Sequence, residues 1–468
     1  MMAKRKTVGT LLLVLLLIFI PALQGCSGNN NAANNGNSTA NGNTAEPAPD
    51  DANANEASNA PQEEEHEPVT LRVSFASPPA IVEAFQKKYP WITVELSPQA
   101  TEADMQEKIV AMKAAGTPID VVIVTDLSFF QKADLLEDLR PYIENDEEIK
   151  ALNLPADFFD PFITNGKQTI LNFQSSPALI IVNKDLLEKN GLEMPPLDWT
   201  YDDMLAMAQK ATDPAANEWG MDYNGVFGTR FPIIVSLANG SSAHPYYMNE
   251  DESDTVLDSP EVLADIQWVK DLVNKYHISP TAKEAEANNW LNGYDQFIQG
   301  KSLFSTGGAW MISQLRAVDT LHWDVLPFPK GKSIQANIST RGTFGILNSS
   351  KNKDAAYKYI SFHLSLEAQK IMMDLGRAPL YSNPAIDDYL DTAPVWEGFN
   401  KEAIKVASKM CCGEHLWNIP LQSVYNAITW GDVSNAIWND QDVNAIPAKV
   451  EEYRKLATEE RKALGWVK

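Results

Sequence analysis

A chain of 468 residues with 44% hydrophobic side chains can bury substantial cores and is long enough for two domains or one large bilobed unit. Its formal charge is −24, and losing Lys4, Arg5 and Lys6 with the leader makes it −27, an acidity that repels phosphates and excludes nucleic acid as a partner. Three cysteines, Cys26, Cys411 and Cys412, are too few for a disulfide-stapled scaffold. Cys411-Cys412 either close a strained vicinal bridge or stay as thiols; neighbouring Cα atoms only about 3.8 Å apart favour thiols.

Residues 1–25 have the order of an export signal: Lys4, Arg5 and Lys6, the apolar run Leu11 to Ile20, then Pro21 and small residues. The run is too short to span a bilayer comfortably. Leu23-Gln24-Gly25-Cys26 resembles the bacterial lipobox, in which the cysteine carries a thioether-linked diacylglycerol. Two acyl chains on Cys26 imply stable membrane anchoring, since each buried CH₂ contributes about 0.8 kcal/mol. From Cys26 to residue 68 the chain is Asn-, Ala- and Glu-rich, with eight carboxylates and no Lys or Arg after the cysteine. Such a segment cannot offset the entropy of ordering, so a disordered tether is expected, with a reach of about 35–40 Å.

The folded pattern starts at Val69. Thr70 to Phe75 alternates like a strand, 79–89 is an amphipathic helix, and Trp91 to Leu96 reads as a second strand. A helix is expected over 103–115, stopped by Gly116 and Pro118, and Ile119 to Val124 is apolar enough for a strand buried on both faces. This alternation predicts a parallel sheet wound with helices, whose ligands bind beyond the carboxyl ends of the strands. Phe75 and Asp126 stand at such ends; Asp126 either accepts ligand hydroxyls or caps the next helix. Further on, Thr200 with Asp203 and Ser259 with Pro260 are helix starts. Ser302 to Gly308, followed by Trp310, suits either a ligand wall or a strand packed under a helix.

Several segments, in order, resemble the extracellular solute-binding proteins of ABC importers, family 1. They are PIDVVIV with ADLLEDLRPYI, then ALIIVNKDLLEKNGLEMPPLDWTYDDM, FIQGKSLFSTGGAW, PFPKG and SKNKDAAYKYISFHLSLEAQ, and the resemblance covers essentially all of residues 69–468. Two departures are a short segment over 76–80 and Leu303-Phe304 where the family carries Met. The resemblance implies an α/β, two-lobed periplasmic-binding-protein-like fold of type II, each lobe a sheet flanked by helices and joined by hinge crossovers. Lobe 1 is expected over 69–173 with 338–375, and lobe 2 over 174–337 with 376–468.

No catalytic constellation is present: HExxH, GxSxG and the P-loop are missing, and the six histidines share no metal-ligand spacing. No cofactor and no metal are expected. Sugar capture needs aromatic faces for CH surfaces and planar polar side chains for hydroxyls. The resemblance suggests Trp310 beside Gly308 for stacking and Trp417 from the late second-lobe segment. Gln174 at the first crossover is a hydroxyl partner or a hinge residue. Arg341 is a forked donor or an ion-pair member, and Tyr246 or Tyr247 faces ligand or packs a loop. Trp430 and Trp438, at helical spacing, read as core. The expected function is a lipid-anchored, monomeric receptor, not an enzyme, that closes on a mono- or oligosaccharide and delivers it to ABC-transporter permease subunits. A surface glycan hydrolase and a receptor feeding a sensor kinase are the alternatives.

Overall fold

The structure, a computed structural model, describes residues 66–98, 102–116, 119–155, 158–159, 162–164, 166–223, 228–250, 253–290, 293–381, 383–410 and 419–466. Cys26 with the leader, the tether to residue 65, and Cys411, Cys412 and Trp417 lie outside the described residues. The strands are β1 (Val69–Val73), β2 (Ile92–Leu96), β3 (Val121–Ile123), β4 (Ile163–Thr164), β5 (Lys167–Gln168), β6 (Leu171–Asn183), β7 (Trp219–Asp222), β8 (Ser302–Gly308), β9 (Trp323–Leu326) and β10 (Ser339–Ile346). Eight of them form one sheet in the order β2-β1-β3-β10-β6-β8-β7, with β9 also on β6, while β4 and β5 pair as a separate hairpin.

In the first lobe β1 is parallel to β2 and β3, and the connecting helices Pro79–Lys88 and Glu102–Ala114 fall where the sequence pattern puts them. The sheet is nevertheless mixed, because β10 runs antiparallel between β3 and β6. The physical reason is connectivity: β10 enters from the other lobe without a helical crossover, so nothing forces it parallel. Helix Pro79–Lys88 buries Ile81 and Phe85. The Phe85 ring meets Tyr359 and Phe362 of helix Lys353–Phe362 edge-on, at 5.1 and 5.6 Å. Burying one such ring stabilises the lobe by about 1.5–3 kcal/mol. Buried Asp120 accepts from Arg72 N (2.9 Å) and Ser350 Oγ (2.5 Å), tying the start of β3 to the turn before that returning helix.

The thirteen-residue β6 belongs to both lobes. Its first half pairs with β10, from Leu171 opposite Phe344 to Pro177 opposite Ser339, and its second half pairs with β8 and β9. Pro177 marks the change of partner; lacking an N–H, it interrupts the ladder without stranding a donor. A register shift between Gly342 and Thr343 bends the partner strand close by.

Beyond Pro177, alternate side chains of β6 enter two cores. Ala178, Ile180 and Val182 join Met221, Phe231 and Val269, while Leu179 and Ile181 join Trp323 and Trp396 beneath helices Pro384–Thr392 and Lys401–Lys409. This two-sided burial explains the unbroken apolar run ALIIV. Trp199, fully buried, donates from Nε1 to Pro327 O at 2.9 Å, so the PPLDWT and PFPKG segments hold each other. Thr200 and Asp203 form the capping box expected from sequence, and Ser259 caps helix Pro260–Asn274. The C-terminal helix Ile446–Leu464 buries Val450, Tyr453 and Ala457 in this lobe. Arg454 fixes it by reaching Asp254 (2.9 Å) and Asp258 (2.6 Å), and hydrogen bonding to that guanidinium lowers the Asp258 pKa.

Candidate functional site

A cavity of about 330 Å³ lies between the lobes, past the carboxyl end of β3. Asp126, Ser128, Phe129 and Lys132 form its first-lobe wall, and Leu421, Ser423 and Glu460 its second-lobe wall. Asp126 takes the capping role of its two expected alternatives, and it also lines this cavity. It caps helix Leu127–Lys132, accepting from Ser128 N at 2.9 Å and Phe129 N at 3.3 Å, and it remains part of the cavity wall. Leu421 holds a left-handed backbone (φ 50°, ψ 50°) as it leads into helix Gln422–Asn426. A non-glycine residue there is strained, as is common where chain geometry serves a site.

The helical run continues through a π-turn over Ala427–Asp432 into Val433–Trp438. At four-residue spacing along it stand Gln422, Asn426, Trp430 and Ser434. Each has a buried polar atom (Oε1, Oδ1, Nε1 and Oγ) with no hydrogen-bond partner. Buried polar groups are normally paired, so four orphans in one row mark an unusual face, and π-turns recur at functional sites. The Arg230 guanidinium lies 5.1 Å over the Trp430 ring. Trp430 packs half-buried against the second-lobe core, as its helical spacing predicts. Gln422 and Asn426 carry no expectation from the sequence; their four-residue polar spacing is the available signal, but the extra turn residue that shapes the face cannot be read from it.

The register gathers three other expected residues at the waist. Gln174 is opposite Gly342, Arg341 is opposite Ser175, and Gly308 is opposite Ala178. Gln174 is half-buried, and Arg341 places its guanidinium 5.6 Å over the Phe162 ring. Trp310 stands in the turn Ala309–Met311 directly after Gly308; its side chain is outside the described set. Phe75 packs against Phe173 (5.1 Å) and Phe344 (5.7 Å), half-buried at the top of the first-lobe core. Tyr246 is fully buried in the second lobe, its carbonyl accepting from Tyr425 Oη at 2.6 Å. Tyr247 is buried as completely, and burial pushes its phenol well above the ordinary value.

A larger cavity, about 430 Å³, is lined by Tyr201, Asp265, Trp268 and Lys330 and belongs to the second lobe alone. The smaller one takes walls from both lobes, which capture by closure requires. Among the described residues no group of three His, Cys, Asp or Glu could hold a metal ion, and no helix is long and apolar enough to cross a membrane.

The sequence pattern of the bacterial extracellular solute-binding proteins matches residues 80–400. The fold is similar to an ABC substrate-binding protein of Listeria monocytogenes solved in complex with cycloalternan: TM-score 0.68, 25% identity, covering 83% of this chain and 98% of that one. It is also similar to maltose-bound MalE3 of T. maritima, with TM-score 0.65, 22% identity and coverage of 83% and 100%. A putative binding protein of Brucella abortus is 24% identical over 319 residues, 66% of this chain and 74% of its own length. These relatives are binding and transport proteins, not enzymes, and the hydrolase alternative finds no support among them. Two lobes joined by continuous strands, with a cavity between them, are the architecture of such receptors, and this chain belongs to the bacterial extracellular solute-binding proteins.

Proposed function

We propose that the protein is a monomeric, lipid-anchored carbohydrate receptor that closes two lobes around its ligand and hands it to an ABC permease. The observation that carries this reading is the interlobe cavity with Asp126 in its wall. Its volume of about 330 Å³ falls in the ~300–1,000 Å³ range of small-molecule sites. Asp126 uses one carboxylate oxygen for the cap, and a carboxylate has lone pairs left for ligand hydroxyls. Trp310 and Trp417 are the proposed stacking faces, with Gly308, Gln174 and Arg341 at the waist. Lobe 1 is taken as 69–173 with 338–375, and lobe 2 as 174–337 with 376–468. Contacts to both lobes exist only when they are closed, so ligand selects the closed state. That relatives were solved with cycloalternan and with maltose supports a sugar here.

The test is a thermal-shift screen of mono- and oligosaccharides against wild type and Trp310→Ala, with product analysis of each glycan. A sugar that raises the melting temperature and is recovered unaltered supports capture, and cleavage of the sugar would sink it. Labelling with an alkynyl fatty acid that is lost in Cys26→Ser tests the anchor.

A further inference from the structure

We propose that the C-terminal helix Ile446–Leu464 is an interlobe latch that sets the open–closed balance, and through it the affinity, of the capture site proposed above. Lys132, the last residue of the first-lobe helix that Asp126 caps, extends its ammonium to both carboxylate oxygens of Glu460, at 2.9 and 3.0 Å. One residue earlier on the same helix, Gln131 Oε1 accepts from Trp466 Nε1 at 2.9 Å, just past the end of the C-terminal helix. A two-pronged ion pair and a hydrogen bond therefore join one short first-lobe helix to one helix rooted in the second lobe.

The root is firm. Val450, Tyr453 and Ala457 are buried, Tyr453 Oη donates to Pro420 O at 2.9 Å, and Arg454 holds Asp254 and Asp258 together. The far end of the helix can thus bear on the first lobe without bending away. Glu460 and Lys132 also line the interlobe cavity, so the latch lies at its rim and must break when the lobes part.

Its strength suits a switch. Lys132 remains 60% exposed and Glu460 only 13%. An ion pair with one solvated partner shifts an equilibrium by about two- to fivefold. A much stronger bridge would hold the lobes shut against ligand entry, because a closed site must open to fill.

Full-length protein in detergent, without sugar, is compared by amide hydrogen exchange as wild type, Lys132→Glu, Glu460→Lys and the double swap. The expected result is faster exchange over 127–132 and over the last turns of 446–464 in each single variant, with wild-type protection back in the swap. Trp466→Phe, which leaves the cavity wall intact, should give the same direction of change. For the sugar found in the screen, the Kd rises about two- to fivefold in the single variants. The swap restores it, which loss of a direct Lys132–ligand contact would not allow. Unchanged exchange in both single variants, or a swap that fails to restore it, overturns the latch. If no sugar binds, the capture reading falls while exchange in the unliganded chain still decides the latch. If sugar binds but neither exchange nor Kd moves, the latch falls and capture stands.

Discussion

Gln174 stands opposite Gly342 where the strands pass between the lobes, and a Cβ on that glycine would lie 2.8 Å from Gln174 Cγ and 2.5 Å from the Phe173 ring. The two strands can approach this closely only because position 342 has no side chain. Gly342→Ala should therefore force Phe173 off its stacked position against Phe344, whose ring lies 3.9 Å away. Overpacking of this kind costs about 1–3 kcal/mol. Urea unfolding should show a lower midpoint with an unchanged slope. An unchanged midpoint would mean that the waist yields freely and carries no packing constraint.

Asp126 combines two roles that different substitutions separate. Asn caps a helix about as well as Asp, so Asp126→Asn should leave the melting temperature nearly unchanged. It removes the charge that strengthens hydrogen bonds from ligand hydroxyls, and affinity should fall about tenfold. Asp126→Ala loses the cap as well, at about 1 kcal/mol. Calorimetry on the two variants checks both effects. Equal affinity for Asp126→Asn and wild type would restrict Asp126 to capping.

The row Gln422, Asn426, Trp430 and Ser434 makes a prediction with opposite signs for stability and binding. An orphaned buried polar atom costs stability, so replacing it with an apolar group of similar shape is neutral or stabilising. Asn426→Leu should hold or raise the melting temperature. If the row faces the solute, the same change should weaken binding of the screened sugar by roughly tenfold, the cost of a lost hydrogen bond to ligand. Lower stability with unaltered affinity would assign Asn426 to packing alone.

Much of the first lobe is written locally. The alternation of Thr70 to Phe75, the helix from Pro79 and the apolar run ending at Val124 are settled by neighbours a few residues away, and they appear where expected. Thr200 and Ser259 cap their helices for the same reason. What sequence could not supply is non-local. That β6 is shared between lobes depends on β10 and β8, which lie more than a hundred residues downstream. A polar residue such as Gln422 is ordinary until burial leaves its Oε1 without a partner. Tyr246 illustrates the converse: the segment after Asn239-Gly240 leaves open whether it faces ligand or packs a loop, and its left-handed backbone turns it into the core.

His363 supplies a pH dependence independent of any ligand. It is fully enclosed by Phe173, Phe344, Tyr359 and Phe362, and its Nδ1 bonds to Tyr359 O at 2.9 Å. Burial lowers its pKa from 6.5 to about 4, only partly opposed by that hydrogen bond. The folded state thus binds this proton less readily than the unfolded one. The contribution is complete above about pH 6.5 and is lost as the pH falls toward 4, by on the order of 3 kcal/mol. His363→Gln can keep a donor for Tyr359 O but cannot titrate. Its melting temperature should fall less steeply between pH 6.5 and 4 than that of wild type, since the carboxylates contribute to both. Parallel profiles for the two proteins would mean that the folded core accepts the proton as readily as the unfolded chain does.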